Sequence, residues 1–192
     1  MRLDDNDEPS SSPLRCRNRI DLIMNYLKPG AVGAELGVFK GSFSDYLLST
    51  GPSKLYLVDP WYRAGSEWRW AQGDKSTVNA LIRILEAYRD EITAGVIEPR
   101  VEFSQEFLFG VKDRSLDWVY IDTTHTYEQT KVEISLALIK VKIGGAIIGD
   151  DYTSHQNAHH KGVYRAVQEF VSNRAFSLSV DGAEQQFLAI VE

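Results

Sequence analysis

At 192 residues, with 43% hydrophobic and 25% charged side chains, the chain has the size and composition of one soluble globular domain able to bury a core. A net charge of −6 argues against a nucleic-acid partner, which needs a basic face. The single Cys16 excludes an internal disulfide. No apolar stretch reaches the length of a membrane span and no hydrophobic signal core is present, so no membrane partner and a cytoplasmic location are expected.

In chain order, residues Met1 to Pro13 are acidic and then rich in Ser and Pro, which predicts a disordered tail ahead of a domain over 14–192. Arg15-Cys16-Arg17-Asn18-Arg19 reads as the solvated start of a helix, whose apolar stripe is Ile20, Ile23, Met24 and Leu27 and whose stop is Pro29-Gly30. Strand-like runs then alternate with helical patterns. The runs are Ala31–Leu36, Lys54–Asp59, Arg100–Phe103, Leu116–Asp122 and Gly145–Asp150. The helices between them carry Leu81, Leu85 and Tyr88, then Val132, Leu136 and Ile139; a further one carries Val163, Val167, Phe170 and Val171. The last two runs, Phe176–Val180 and Gln186–Val191, flank Asp181-Gly182 and predict an antiparallel hairpin. The expected fold is α/β: a doubly wound, Rossmann-like sheet of seven strands, mostly parallel, with an antiparallel C-terminal strand.

Two of the runs end in carboxylate, at Asp122 and at Asp150-Asp151. Neighbouring parallel strands finishing at one sheet edge bring these acids within a few ångströms, where they repel unless a cation neutralises them. That edge is where open α/β folds hold ligands, and all-oxygen donors suit a hard divalent ion such as Mg²⁺. The first strand leads into Glu35-Leu36-Gly37-Val38-Phe39-Lys40-Gly41-Ser42, where the glycines allow a sharp turn and close approach of a ligand. Asp59, at the end of the second run, can accept from ribose hydroxyls; a tight turn with a solvent-facing Asp is the plainer reading. An acid at position 35 is unfavourable beside a pyrophosphate and favourable beside a sulfonium, which prefers S-adenosylmethionine over NAD.

These motifs resemble the class I S-adenosylmethionine-dependent methyltransferases from about Ala31 onward. Tyr120-Ile121-Asp122-x-x-His125-x-Tyr127-Glu128 with Gly144-Gly145 and Gly149-Asp150-Asp151-Tyr152 is similar to the macrocin-type sugar O-methyltransferases, and the catechol-type enzymes share the acids. The resemblance implies that Glu35, Gly37, Gly41 and Ser42 line the methionine end of the cofactor and that Asp59 holds its ribose. It also implies that Ser104 and Gln105 meet the adenine and that Asp122 borders the cofactor. Asp122, Asp150 and Asp151 would hold Mg²⁺ or a similar ion, which fixes and acidifies the acceptor hydroxyl. His125, three residues beyond Asp122, is the expected base, with helix capping as the alternative. Where relatives often carry Gly or Ala and an acid, this chain has Thr123 and Thr124, and the long N-terminal region of the antibiotic-sugar enzymes is lacking.

His155, His159 and His160 are either pocket border or polar loop. Trp61, Tyr62, Trp68 and Trp70 read as a lid, as packing or as a subunit contact, and a homo-oligomer is left open. Arg63, Arg69 and Lys75 would meet an acidic substrate or remain surface charge. The reading is therefore a metal-dependent O-methyltransferase for a small hydroxylated molecule, a sugar or other vicinal diol. An NAD-dependent oxidoreductase and a non-catalytic cofactor-binding protein are the alternatives.

Overall fold

The structure, a computed structural model, describes residues 12–67, 76–155 and 160–192. Seven strands form one sheet: β1 (Val32–Leu36), β2 (Lys54–Asp59), β3 (Ile97–Val101), β4 (Leu116–Ile121), β5 (Val141–Gly149), β6 (Leu178–Asp181) and β7 (Phe187–Ile190). Their order is β3-β2-β1-β4-β5-β7-β6, and β7 runs antiparallel to both neighbours. The order reverses between β1 and β4, which places a crevice at their C-terminal ends.

Alternation along β4 shows why both faces are covered. Trp118 and Tyr120 pack with α1 (Pro13–Ile23), α2 (Ser44–Ser49) and α3 (Ser76–Ala87), whereas Val119 and Ile121 pack with α5 (Ser104–Gly110), α6 (Tyr127–Lys140) and α7 (Lys161–Ser172). The short α4 (Arg89–Thr93) joins α3 to β3.

Several expectations shift. The stretch expected at Arg100–Phe103 forms β3 three residues earlier: Ile97 is the buried anchor, and Pro99 is tolerated because the strand lies at the sheet edge. Phe103 leaves the strand to cap α5, whose Glu106 carboxylate accepts from the Phe103 N–H at 2.9 Å. On α3 the buried face is Thr77, Ala80 and Ile84, with Leu85 exposed; on α6 it is Thr130, Glu133, Ile134 and Ala137, with Val132 and Ile139 exposed.

The N-terminal helix differs most. Pro13, expected in the tail, is its first residue, and Ser12 caps it by accepting from the Arg15 N–H; residues 1–11 lie outside the described residues. Its inward stripe is Cys16, Arg19, Ile20 and Ile23, while Met24 is exposed. The basic cluster is therefore not simply solvated, since Arg19 is 2% exposed. No described helix is long and apolar enough to cross a membrane.

Candidate active site

The turn after β1 is tied to both neighbouring strands. The Gly37 N–H donates to the Val58 carbonyl at 2.9 Å, and the Asp122 N–H donates to the Leu36 carbonyl at 2.8 Å. Gly37 has φ +90°, and a Cβ there would stand 1.9 Å from the Asp122 carbonyl oxygen. Backbone from the two strand ends thus meets with no room for a side chain.

Asp59 organises this turn. One of its oxygens accepts from the Val38 and Phe39 N–H groups at 3.0 and 2.9 Å, and the other accepts from the Trp61 N–H at 2.6 Å. The solvent-facing reading of Asp59 is excluded, as it is 3% exposed. Burial pushes its pKa up against the pull of these three donors. Trp61 is fully buried and its indole N–H donates to the Phe39 carbonyl, so Trp61 is a strut of the loop rather than a lid. Tyr62 is exposed, and Arg63 pairs with Glu106. Trp68, Arg69, Trp70, Lys75 and His159 lie outside the described residues.

A cavity of about 290 Å³ opens at the crevice, lined by Gly37, Asp59, Phe103, Ser104, Asp122 and Gln129 among others. Four of the expected cofactor residues therefore share one wall: Gly37, Asp59, Ser104 and Asp122. Gln105 sits beside it, donating to Gln129 at 2.7 Å. Beneath lies Glu133, which sequence reasoning missed. It is fully buried on α6 and accepts from Ser104, Gln129 and Thr123 at 2.5, 2.9 and 2.9 Å. Its polar side chain at an inward helical position was the available signal.

Glu35, Gly41 and Ser42 do not line this cavity. Glu35 is buried behind the turn, accepts from Ser44 at 2.5 Å, and is pushed up to about 8 by burial, with Asp122 and Asp59 adding to the rise. Ser44, not the exposed Ser42, is the hydroxyl that reaches it. Gly41, φ +76°, is a packed turn against Ile84.

The acids of the sheet edge do converge, but the neutralising cations belong to the chain. Arg19 hydrogen-bonds one Asp150 oxygen; the other accepts from Gln186 and, at 3.4 Å, from Arg15. Gln186 in turn accepts from the buried Tyr120 hydroxyl at 2.8 Å. Arg15 also approaches Asp151 at 3.7 Å. Burial and the neighbouring Asp122 push Asp150 up to about 7 against the pull of the guanidiniums. A three-aspartate magnesium set does not fit: an ion on Asp150 would displace or face two guanidinium groups.

His125 bridges the remaining two acids. Its Nε2 lies 2.9 Å from Asp122 and its Nδ1 lies 3.3 Å from Asp151. Burial alone would lower its pKa, but the hydrogen bond to Asp122 and the surrounding carboxylates outweigh that and raise it to about 9. The same contact lowers Asp122, overcoming the opposing effect of burial. His125 is thus an imidazolium at neutral pH, not the imidazole titrating near 7 that its position alone suggests. His160 stacks edge-on against it at 4.5 Å, while the exposed His155 donates its N–H to Thr153.

A family model described as a methyltransferase domain matches residues 31–152. No curated protein matches the chain in sequence. Among solved structures, SMU.1697c from Streptococcus mutans, in complex with SAH, aligns with TM-score 0.60 at 15% identity over 93% of this chain and 96% of that one. An rRNA methylase from Streptococcus thermophilus aligns with TM-score 0.58 at 15% identity over 91% and 93%. An O-methyltransferase from Bacillus cereus, in complex with SAH, aligns with TM-score 0.57 at 17% identity over 94% and 82%. The chain belongs to the family of methyltransferase domains. Family and fold together make it a class I S-adenosylmethionine-dependent methyltransferase.

Proposed function

We propose that this enzyme methylates a hydroxyl oxygen of a small hydroxylated molecule, a sugar or other vicinal diol. One observation carries the reading: Asp122 lines the cofactor cavity and also holds His125 at 2.9 Å, so a proton acceptor stands at the cavity edge. Gly37 and Asp59 shape the cofactor pocket, Ser104 and Gln105 border its adenine end, and Glu35 with Gly41 and Ser42 backs the methionine end. The acceptor oxygen attacks the sulfonium methyl in line, the carbon–sulfur bond breaks to leave S-adenosylhomocysteine, and the hydroxyl proton passes to neutral His125. Asp122 and Asp151 orient the ring and stabilise the imidazolium that results. A second hydroxyl of the acceptor would meet Arg15 and Asp151, which fits a diol. The acidic net charge favours a small acceptor over a nucleic acid.

The test is transfer of a labelled methyl group from S-adenosylmethionine to a panel of catechols and sugars, in the presence of a chelator. The rate should climb with pH through about 9, because a base whose pKa is raised becomes competent only as the proton leaves. His125→Asn should lower kcat by about 100-fold or more and flatten that profile while leaving cofactor affinity within about twofold. A profile unchanged by the substitution would remove His125 from proton transfer.

A further inference from the structure

The cluster that fails as a magnesium site contains a second set of donors. Among the described residues, His125, Asp151 and His160 each offer a ligand atom, all within 4.8 Å of one another. The Asp151 carboxylate oxygen lies 3.3 Å from His125 Nδ1 and 3.8 Å from His160 Nε2. Two ligands held about 2.0–2.1 Å from a tetrahedral ion are themselves about 3.3–3.4 Å apart; His125 and Asp151 already stand at that spacing, and the His160 ring must swing toward both to complete the set. The other nitrogen of His125 is held by Asp122 at 2.9 Å, the carboxylate–histidine support that fixes a ligating ring.

We propose that His125, Asp151 and His160 bind a borderline transition-metal ion of the Zn²⁺ or Co²⁺ kind, with a fourth position open, and that Mg²⁺ is not its natural occupant. Two imidazoles and one carboxylate suit such ions, whereas magnesium demands an octahedron of oxygens and retains its water. Arg19 and Arg15 contribute by elimination, because they take the Asp150 carboxylate that an oxygen-only site would require; Arg15 approaches Asp151 only at Oδ1, 3.7 Å away, which leaves Oδ2 to face the two imidazoles. His160 stands at the N-cap position of α7 with no capping hydrogen bond from its ring, and its side chain is 48% exposed, so an ion can reach the site from solvent and the ring can close on it. A bound ion occupies the imidazole that otherwise accepts the hydroxyl proton, so metal-loaded and proton-accepting forms are alternatives at one residue. The inference rests on the donor set and not on the methyl-transfer reading, which is assayed with chelator present.

The experiment is titration of chelator-stripped full-length protein with Co²⁺, read by visible absorption, with Mg²⁺ and Zn²⁺ as competitors. One Co²⁺ per chain should bind with the intense bands of a low-coordinate ion; Zn²⁺ should displace it and a large excess of Mg²⁺ should not. His160→Ala, on an exposed side chain, should weaken binding at least about tenfold with an unchanged circular dichroism spectrum. Absence of cobalt bands, displacement by Mg²⁺, or unchanged affinity in His160→Ala would each overturn the assignment.

Discussion

Arg19→Met is expected to cost about 3–5 kcal/mol of stability, because it strips a guanidinium from a carboxylate that is 2% exposed. The Arg19 side chain is itself 3% exposed, so solvent does not screen the pair, and Gln186 and the more distant Arg15 cannot replace its charge. Without it, the folded-state pKa of Asp150 rises beyond the value of about 7 that burial and Asp122 already impose. The sign follows from linkage. Between the unfolded value near 3.9 and the raised folded value, the native state binds more protons than the unfolded state, so stability falls as pH increases. The variant should therefore be closest to wild type near pH 4 and furthest from it at pH 8. Adding Asp150→Asn should recover a large part of the loss at pH 8, since the uncompensated charge is then gone. Urea denaturation of the four proteins of this cycle at both pH values measures the effect.

Gly37→Ala is the second large expectation. The new methyl would stand 1.9 Å from the Asp122 carbonyl oxygen and 2.6 Å from its carbon, both backbone atoms, and φ is +90°. Neither strand end yields easily, because each is hydrogen-bonded to its neighbour. Strain and overpacking together should destabilise the domain by about 2–5 kcal/mol, a fall in Tm on the order of 10 °C. Gly30→Ala is the control: φ there is +78°, but nothing lies within 4 Å of the added Cβ. It should show the conformational cost alone, about 1 kcal/mol. Cofactor affinity should fall at least about tenfold in Gly37→Ala and stay unchanged in Gly30→Ala, because only the first reshapes a cavity wall.

The contrast between these two residues shows what the sequence made legible. Gly37 stood in a strand-to-helix turn followed at the right distance by Asp59, and local pattern sufficed to find it. The strand ends at Asp122 and Asp150 were equally readable, because parallel pairing puts such ends at one edge. Their need for positive charge was legible too. Its source was not, since Arg19 lies 131 positions before Asp150 and only the packing of α1 against the sheet joins them. The stripe Cys16, Arg19, Ile20, Ile23 did place that arginine inward at helical spacing. Glu133 shows the same limit, because its role under Ser104 and Thr123 depends on α6 crossing the end of β4. The pKa values of His125 and Glu35 follow from burial and from charges assembled by tertiary structure, which no local pattern encodes.

The most direct measurement is calorimetric titration of the full chain with S-adenosylmethionine and with NAD, from pH 6 to pH 9, in buffers of different ionisation enthalpy. Glu35, raised to about 8 by burial, is largely protonated at pH 7. A sulfonium nearby favours the charged carboxylate, so binding should release a proton and tighten as pH rises towards 8. Glu35→Gln should abolish the proton release, weaken binding about tenfold and, by removing a buried acid, stabilise the protein at pH 7 by about 2 kcal/mol. Binding of S-adenosylmethionine with that signature, and no binding of NAD, is the predicted result. Binding of NAD, or no heat with S-adenosylmethionine at any pH, would contradict the assignment of the cavity between Gly37, Asp59 and Asp122 to the sulfonium cofactor.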